Sequence, residues 1–304
     1  MDPRGIALCA QMSCVLEVAC PKPGNVNRYF DFSDTTLEHY LASAVAIGET
    51  LRNAAEAGFN HAFKGRYSDI GIGKLIHEAV SESQRWHSGG NTNLGIAALL
   101  VPLCASYGAA AHMASEPGDG LVREIFHSIM SNTTPQDTVD FYKAVREAKP
   151  GGLGRHPYLD VNDPRSDEEI IDRNLGLFQV LKISSHDSIA RELTDRMRIT
   201  FEVGSPTILR EYDKSGSLRS GILHGYLKIL SEVPDSLIVR KKGLQAAKEV
   251  SREAKRLLKH GLPPEELRAF DEMLRSKDNA LNPGTTADLT VSSIMVSLVK
   301  GAKP

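Results

Sequence analysis

The stretch NTNLGIAALLVPLCASYGAAAHMA, residues 91–114, decides the fold. It is apolar on nearly every side of a helical wheel. Such a helix is stable in water only when other elements cover it all round, so it is expected at the centre of a helical stack. The segments around it read the same way. IALCAQMSCVLEVAC (6–20) puts Ile6, Cys9, Met12 or Ser13, Leu16 and Cys20 on one face. DTTLEHYLASAVAIGETLRNAAEAG (34–58) starts at a cap, Asp34 or Thr35, and ends at a glycine, Gly58.

Further helical periodicity runs through KLIHEAVSESQRW (74–86), SDEEIIDRNLGLFQVLKIS (166–184, capped by Ser166) and DSIARELTDRMRITFEVG (187–204). It continues in GILHGYLKILSEV (221–233), KKGLQAAKEVSREAKRLLKHG (241–261), PPEELRAFDEMLRS (263–276) and TADLTVSSIMVSLVK (286–300). Aromatic residues are 6% of the chain, and no alternating run bounded by turns suggests a strand. The expectation is an all-α fold: one bundle-like domain over residues 1–304, with its site where helix ends converge. A Gly-, Pro- and Asp-rich loop of about residues 150–166 is long enough to suggest function.

Composition narrows the function. The 304 residues are 41% hydrophobic and 24% charged, with a formal net charge of −2. No global field draws the chain to nucleic acid or an anionic membrane, so any polyanion is held locally. Cys9, Cys14, Cys20 and Cys104 show neither C-x-x-C nor zinc spacing, and are expected as buried thiols in a reducing compartment. No secretory leader is evident, and apolar runs are broken short of the about 20 residues that cross a bilayer. The cytoplasm is the expected setting. No nucleic-acid or membrane partner is expected, and a homodimer is the one protein assembly considered.

Polar clusters gather at helix boundaries. EVACPKPGNVN (17–27) ends the first helix with Lys22, Gly24, Asn25, Asn27 and then Arg28, more polar groups than a turn needs. SGGNTNLG (88–95) feeds the central helix. Gly89 and Gly90 allow a close approach, Asn91 or Thr92 caps, and the helix N-terminus suits a phosphate. The plain alternative is a capped helix after a tight turn. NPGTTADL (282–289) repeats the pattern with Thr285 and Thr286, and Asp288 either favours the helix dipole or holds Mg²⁺. KPGGLGR (149–155) offers Arg155. SHDSIARE (185–192) offers His186, Asp187 and Arg191, and PDSLIVRKKG (234–243) offers Asp235 and Arg240. For these last two the plainer reading, a solvated ion pair or a basic surface helix start, is the better one.

In this order, E-V-x-x-P-K-P-G-N-V-N, Asp34, Ser43, G-G-N-T-x-x-G, D-S-x-x-x-R-x-x-G at 235–243 and P-G-x-x-A-D-L at 283–289 resemble the triphosphoribosyl-dephospho-coenzyme A synthase family. The resemblance covers about residues 6–299. It implies an all-helical transferase in which the ribose 2′-hydroxyl of dephospho-coenzyme A attacks C1′ of ATP. Adenine leaves and the triphosphate is kept. Mg²⁺ accompanies the ATP. Glu17, Asp34, Asp187 and Asp288 are the candidate acid, base or cation-stabilising carboxylates, with Asp187 and Asp288 as metal ligands. Lys22, Gly24, Asn25, Asn27, Arg28, Ser43, Gly89, Gly90, Asn91, Thr92, Asn93, Arg155, Arg191, Arg240, Thr285 and Thr286 are candidate substrate contacts.

Two departures from the citrate-lyase type of the family stand out. Asn93 and Leu94 occupy the place of a His-Lys pair, and Phe32 that of a His. They point to a divergent branch. Alternatives are another ATP-dependent ribosyl or phosphoribosyl transfer in one-carbon coenzyme assembly (methanopterin or methanofuran type), or a non-catalytic nucleotide-binding protein.

Overall fold

The computed structural model describes residues 1–154, 158–275 and 279–304, with the Phe63 side chain excepted. The described residues are helical throughout, and the only β-type pairing among them is the isolated bridge between Asn27 and Phe30. The all-α expectation holds. The chain divides into two compact units, residues 1–11 with 42–197 and residues 12–41 with 198–304.

Helix α1 (Pro3–Ala19) and helix α2 (Leu37–Ala46) each contribute residues to both units. The first unit then contains α3 (Gly48–His61), α4 (Ile72–Arg85), α5 (Leu94–Met113), α6 (Asp119–Ser131) and α7 (Pro135–Ala148). Its last helices are α8 (Arg165–Asp172), α9 (Leu177–Ile183) and α10 (Ser188–Thr194). Helix α5 is its axis, with every residue from Ile96 to Ala110 buried. By length and composition α5 could cross a membrane, contrary to the reading of broken apolar runs, but here it is core.

Glycine sets how closely α3 meets α5. A Cβ on Gly58 would lie 1.9 Å from the Ala105 carbonyl oxygen, and one on Gly108 would lie 2.0 Å from that of Ala55. The two backbones therefore touch directly. Gly58 is an internal packing residue, and α3 continues past it to His61. A buried aspartate fixes the neighbouring pair of helices. Asp137 closes a capping box with Thr134 at the start of α7, and its Oδ1 accepts the Gly73 amide in the first turn of α4 at 2.9 Å.

The second unit contains a π-helical turn (Ile199–Gly204), α11 (Ser205–Ser215), α12 (Leu218–Glu232), α13 (Ser236–His260), α14 (Pro264–Leu274) and α15 (Gly284–Val299). Helix α15 is its axis and is lined with hydroxyls. Ser292 Oγ lies 2.7 Å from Thr200 Oγ1, Ser297 Oγ lies 3.1 Å from Ser205 Oγ, and a Cβ on Gly204 would meet Ser293 Oγ at 2.0 Å.

Several boundaries differ from the sequence reading. The 34–58 segment breaks at Ile47, and its cap is Asp31, whose Oδ1 accepts the Leu37 amide at 2.8 Å; Asp34 is exposed. The 166–184 segment breaks at 173–176, with Asn174 at φ 53°, and Ser166 lies inside α8, donating to the Asp160 carbonyl. Helix α13 starts before the expected 241 and is interrupted at Gly243, where φ is 84°. The buried face of α1 runs through Ile6, Ala10, Ser13 and Glu17, leaving Cys9 and Leu16 half-buried.

Overpacking of a filled interface costs about 1–3 kcal/mol. Gly58→Ala should lower stability by about that much in urea denaturation, whereas Gly118→Ala, where a Cβ meets nothing within 4 Å, should change it little.

Candidate active site

Three of the sequence blocks converge within the second unit. At the end of α1 the chain turns through Pro21–Lys22–Pro23–Gly24. Asn25 Nδ2 donates to Asn282 Oδ1 at 3.1 Å, joining this turn to the start of α15. Gly24 has φ 73°, and a Cβ there would overlap Leu274 at 2.5 Å, so both backbone and packing require glycine. The Gly24 amide donates to Asp271 Oδ1 at 2.6 Å, and the buried Tyr226 hydroxyl donates to the Pro23 carbonyl at 2.8 Å.

Lys22 does not face an open surface as a phosphate ligand would. Its side chain is fully buried, and Nζ reaches the Glu17 carbonyl at 2.5 Å, Glu17 Oε1 at 3.0 Å and the Cys20 carbonyl at 3.4 Å. All three ammonium protons have partners inside the turn. Asn27 is likewise internal: Nδ2 donates to the Lys22 and Asn25 carbonyls at 3.1 and 3.2 Å, and Oδ1 accepts the Tyr29 amide at 3.0 Å. Arg28 is exposed and donates from Nε to the Ala19 carbonyl at 2.6 Å, capping α1.

The Asp235 block joins them. Asp235 is buried, and one carboxylate oxygen accepts the Leu237 and Ile238 amides at 2.9 and 3.1 Å, capping α13. The other accepts the Thr286 amide at 2.7 Å and its hydroxyl at 2.8 Å, at the start of α15. Ser236 Oγ lies 3.0 Å from Thr285 Oγ1. Burial raises the Asp235 pKa, and its hydrogen bonds from Thr286, Ile238 and Leu237 oppose that rise. Thr285 and Thr286 thus hold helices together, and Arg240 is exposed on α13.

Glu17, Asp34 and Asp288 share one electrostatic neighbourhood. Burial raises the Tyr40 phenol well above its ordinary range, and the charges of Glu17, Asp288 and Asp34 raise it further. Burial, with Glu17 and Asp288 adding, pushes the Cys14 thiol up to about 12, and Cys20 is pushed up to about 11, chiefly by burial. Those thiols are inert packing groups, and all four cysteines are free as expected. Burial raises Glu17 itself, against the lowering effect of Lys22. Its Oε1 is buried against the Lys22 ammonium at 3.0 Å.

A cavity of about 270 Å³ opens beside the same turn, lined by Leu16 and Ala19 of α1, by Cys20, Arg28, Arg219 and the start of α12, and by Pro304. Its two guanidinium groups make it basic.

The remaining sequence candidates lie in the first unit. Asn91 Oδ1 accepts the Asn93 and Leu94 amides at 3.2 and 3.1 Å, so Asn91 is the residue that caps α5. Ser43, Thr92, Ser83 and His87 form a hydroxyl–imidazole cluster: Ser43 Oγ is 2.7 Å from both Thr92 Oγ1 and Ser83 Oγ, and His87 Nε2 is 3.1 Å from Thr92 Oγ1. His87 Nδ1 accepts the Gly89 amide at 3.1 Å, and Gly90 is exposed at the tip of the same turn. Sequence reasoning missed His87, although it directly precedes SGGNTNLG. Asn93 is buried, and its Nδ2 has no hydrogen-bond partner.

Asp187 does not join a metal cluster. Its Oδ1 accepts the Ile189 and Ala190 amides at 2.9 and 3.3 Å, capping α10. Among the described residues, no three His, Cys, Asp or Glu side chains are grouped to hold a metal ion. Arg191 donates to Ser188 Oγ at 3.4 Å and leaves a buried Nε without a partner. Arg155 lies outside the described residues. The described part of the 150–166 loop borders an open cavity of about 550 Å³ with Asp160, Asp163, Glu168, Glu169 and Asp172 facing only Arg165 and Arg173. That balance of charge disfavours a triphosphate.

A family profile described as ATP:dephospho-CoA triphosphoribosyl transferase matches residues 3–304. The chain belongs to the ATP:dephospho-CoA triphosphoribosyl transferase family. It is an enzyme of coenzyme biosynthesis that acts on ATP and dephospho-CoA. A crystal structure from Archaeoglobus fulgidus, assigned as a triphosphoribosyl-dephospho-CoA synthase, is similar at 28% identity with a TM-score of 0.66. The match covers 86% of this chain and 100% of that one. No curated protein matches.

Within this transferase the Glu17–Lys22 pair sets the stability of the turn. Removing one partner of a buried ion pair costs about 3–5 kcal/mol, because the other charge is stranded. Lys22→Met should therefore destabilise the chain by about that amount in chemical denaturation, and adding Glu17→Gln should recover most of the loss.

Proposed function

We propose that Glu17 is the general base of the triphosphoribosyl transfer, with Asp288 and Tyr40 completing the reacting centre. One observation carries the reading: Glu17 is a buried carboxylate with a raised pKa, held by Lys22, and its charge acts on the same phenol as those of Asp288 and Asp34. A carboxylate tuned upward by burial is suited to proton transfer near neutral pH.

In the proposed step the acceptor's ribose 2′-oxygen bonds to C1′ of ATP as its proton passes to Glu17. The bond from C1′ to adenine breaks, and adenine leaves with the bonding electrons and takes up a proton. Asp288 faces the positive charge that grows at C1′, as carboxylates do in glycoside chemistry. The exposed Asp34 acts on this centre by its charge. Arg28 and Arg219, lining the basic cavity, take the phosphate-bearing end of a substrate. Lys22 acts indirectly, by holding Glu17.

Magnesium fits this proposal through the chemistry of its donors. It is a hard ion bound by one or two carboxylates together with substrate phosphates. Asp288 would be the carboxylate to hold it in place of facing C1′, and a bound ion would supply screening of the triphosphate charge. The four free cysteines suit a reducing, cytoplasmic setting.

Incubation with ATP, Mg²⁺ and dephospho-CoA should give free adenine and the triphosphoribosylated acceptor by mass spectrometry. A wild-type protein that releases no adenine with this pair overturns the reading. Glu17→Gln combined with Lys22→Met, which strands no charge, should cut turnover by about 10²–10⁴-fold while calorimetry shows nearly unchanged ATP affinity. Because the Glu17 pKa is raised, the base is lost by protonation as pH falls through a range above that of an ordinary glutamate. The wild-type rate should drop through that range, and the rate of the double variant should lack this limb.

A further inference from the structure

The reversal after the P-K-P-G turn carries an aromatic surface that the reaction as proposed leaves without a role. Asn27 and Phe30 pair through two backbone bonds of 3.0 and 3.1 Å, which places Arg28 and Tyr29 at the corner of a tight turn. Tyr29 is 67% exposed and Phe30 51% exposed. Behind them the Arg275 guanidinium lies 4.5 Å from the Phe30 ring centroid and 5.9 Å from that of Phe32.

Arg275 is fixed from several directions. Its Nε lies 2.9 Å from each Asp271 oxygen, and Nη2 donates to the Asn25 carbonyl at 2.7 Å. Asp271 in turn accepts the Gly24 amide. The guanidinium therefore stays where it is and keeps Phe30 in place. Phe30 has the cation behind it and half of its surface in water. A planar cation held against a half-exposed ring is a preformed stacking platform. It stands on the same short turn as Lys22 and Arg28 and is one loop away from Asp34.

We propose that Phe30, flanked by Tyr29 and backed by Arg275, is an adenine-stacking subsite for one of the two nucleotide substrates. The ligand chemistry is a flat purine ring, and both ATP and dephospho-CoA carry one. The subsite rests on the reading of this turn as part of the nucleotide-processing site. Aromatic side chains stack on bases without needing hydrogen-bond readout. A ring on a tight turn also loses little conformational freedom when it binds.

Calorimetric titration of the full chain with ATP and with dephospho-CoA, separately, tests this. Phe30→Ala and Phe30→Leu should each raise the Kd of one of the two nucleotides about tenfold or more, within the range that loss of a base–aromatic stack produces. Phe30→Trp should stay near wild type for both. The nucleotide that responds identifies the source of the adenine. Leu keeps an apolar cover over Arg275 without a π face, so wild-type affinity in Phe30→Leu would reduce Phe30 to a cover and overturn the subsite. Unchanged Kd values for both nucleotides in Phe30→Ala would overturn it as well. If those affinities fall but wild-type protein releases no adenine, the subsite stands and the proposed reaction fails. If Glu17→Gln combined with Lys22→Met loses adenine release while the Phe30 variants bind both nucleotides normally, the reaction stands and the subsite fails.

Discussion

The Asp235 carboxylate is the interaction on which the candidate site depends. Its two oxygens accept four hydrogen bonds, two from the start of α13 and two from the start of α15. Helix N-termini have unpaired amides and a partial positive charge, and one buried anion answers both needs for two helices at once. Without it, the starts of α13 and α15 would be joined by side-chain bonds only through the Ser236–Thr285 hydroxyl contact. The first unit uses the same device independently: Asp137 serves the starts of α4 and α7. In both units, joining helix starts through a buried carboxylate takes the place of the backbone pairing that a sheet would supply.

This explains why so many polar residues around the site turn inward. The Pro21–Asn27 turn leaves carbonyl groups that no helix satisfies, and buried backbone groups need partners. Lys22, Asn27 and Tyr226 supply them. The groups left for the proposed chemistry are then few: the Glu17 carboxylate, the neighbourhood of Asp288 and Tyr40, and the exposed guanidinium and aromatic groups at the rim.

The sequence made α5 legible because its apolar character has no polar face to misassign, and α15 nearly so. Breaks inside apolar periodicity were not legible. The pattern runs unbroken through Ile47 and through 173–176, while the turns there are set by tertiary contacts. Helices α6, α7 and α11 were not singled out, although Thr134–Pro135–Gln136–Asp137 carries both a capping box and a proline at the first helical position. For the site, the meeting of Pro-Lys-Pro-Gly with Asn-Pro-Gly-Thr-Thr-Ala-Asp could be expected, and the Asn25–Asn282 bond realises it. The inward turn of Lys22 could not, because residue type does not say whether a cation meets a ligand or its own helix end. Asp271, Arg275 and Tyr40 were missed because each lies inside an ordinary amphipathic helix or just beyond one.

The hydroxyls of α15 have a mechanical consequence. Thr290, Ser293 and Ser297 each donate back to the carbonyl four residues earlier, at 2.7, 2.7 and 2.8 Å. Their polarity is spent along the helix, so neighbours meet small side walls. Two cross-contacts, Ser292 with Thr200 and Ser297, through its lone pairs, with Ser205, work as dowels: they fix how far the rod can slide or roll in its sleeve. A shift by one residue would break both pins together. The tip that carries Asp288 is thus mounted on a shaft with little axial play, as suits the role proposed for it.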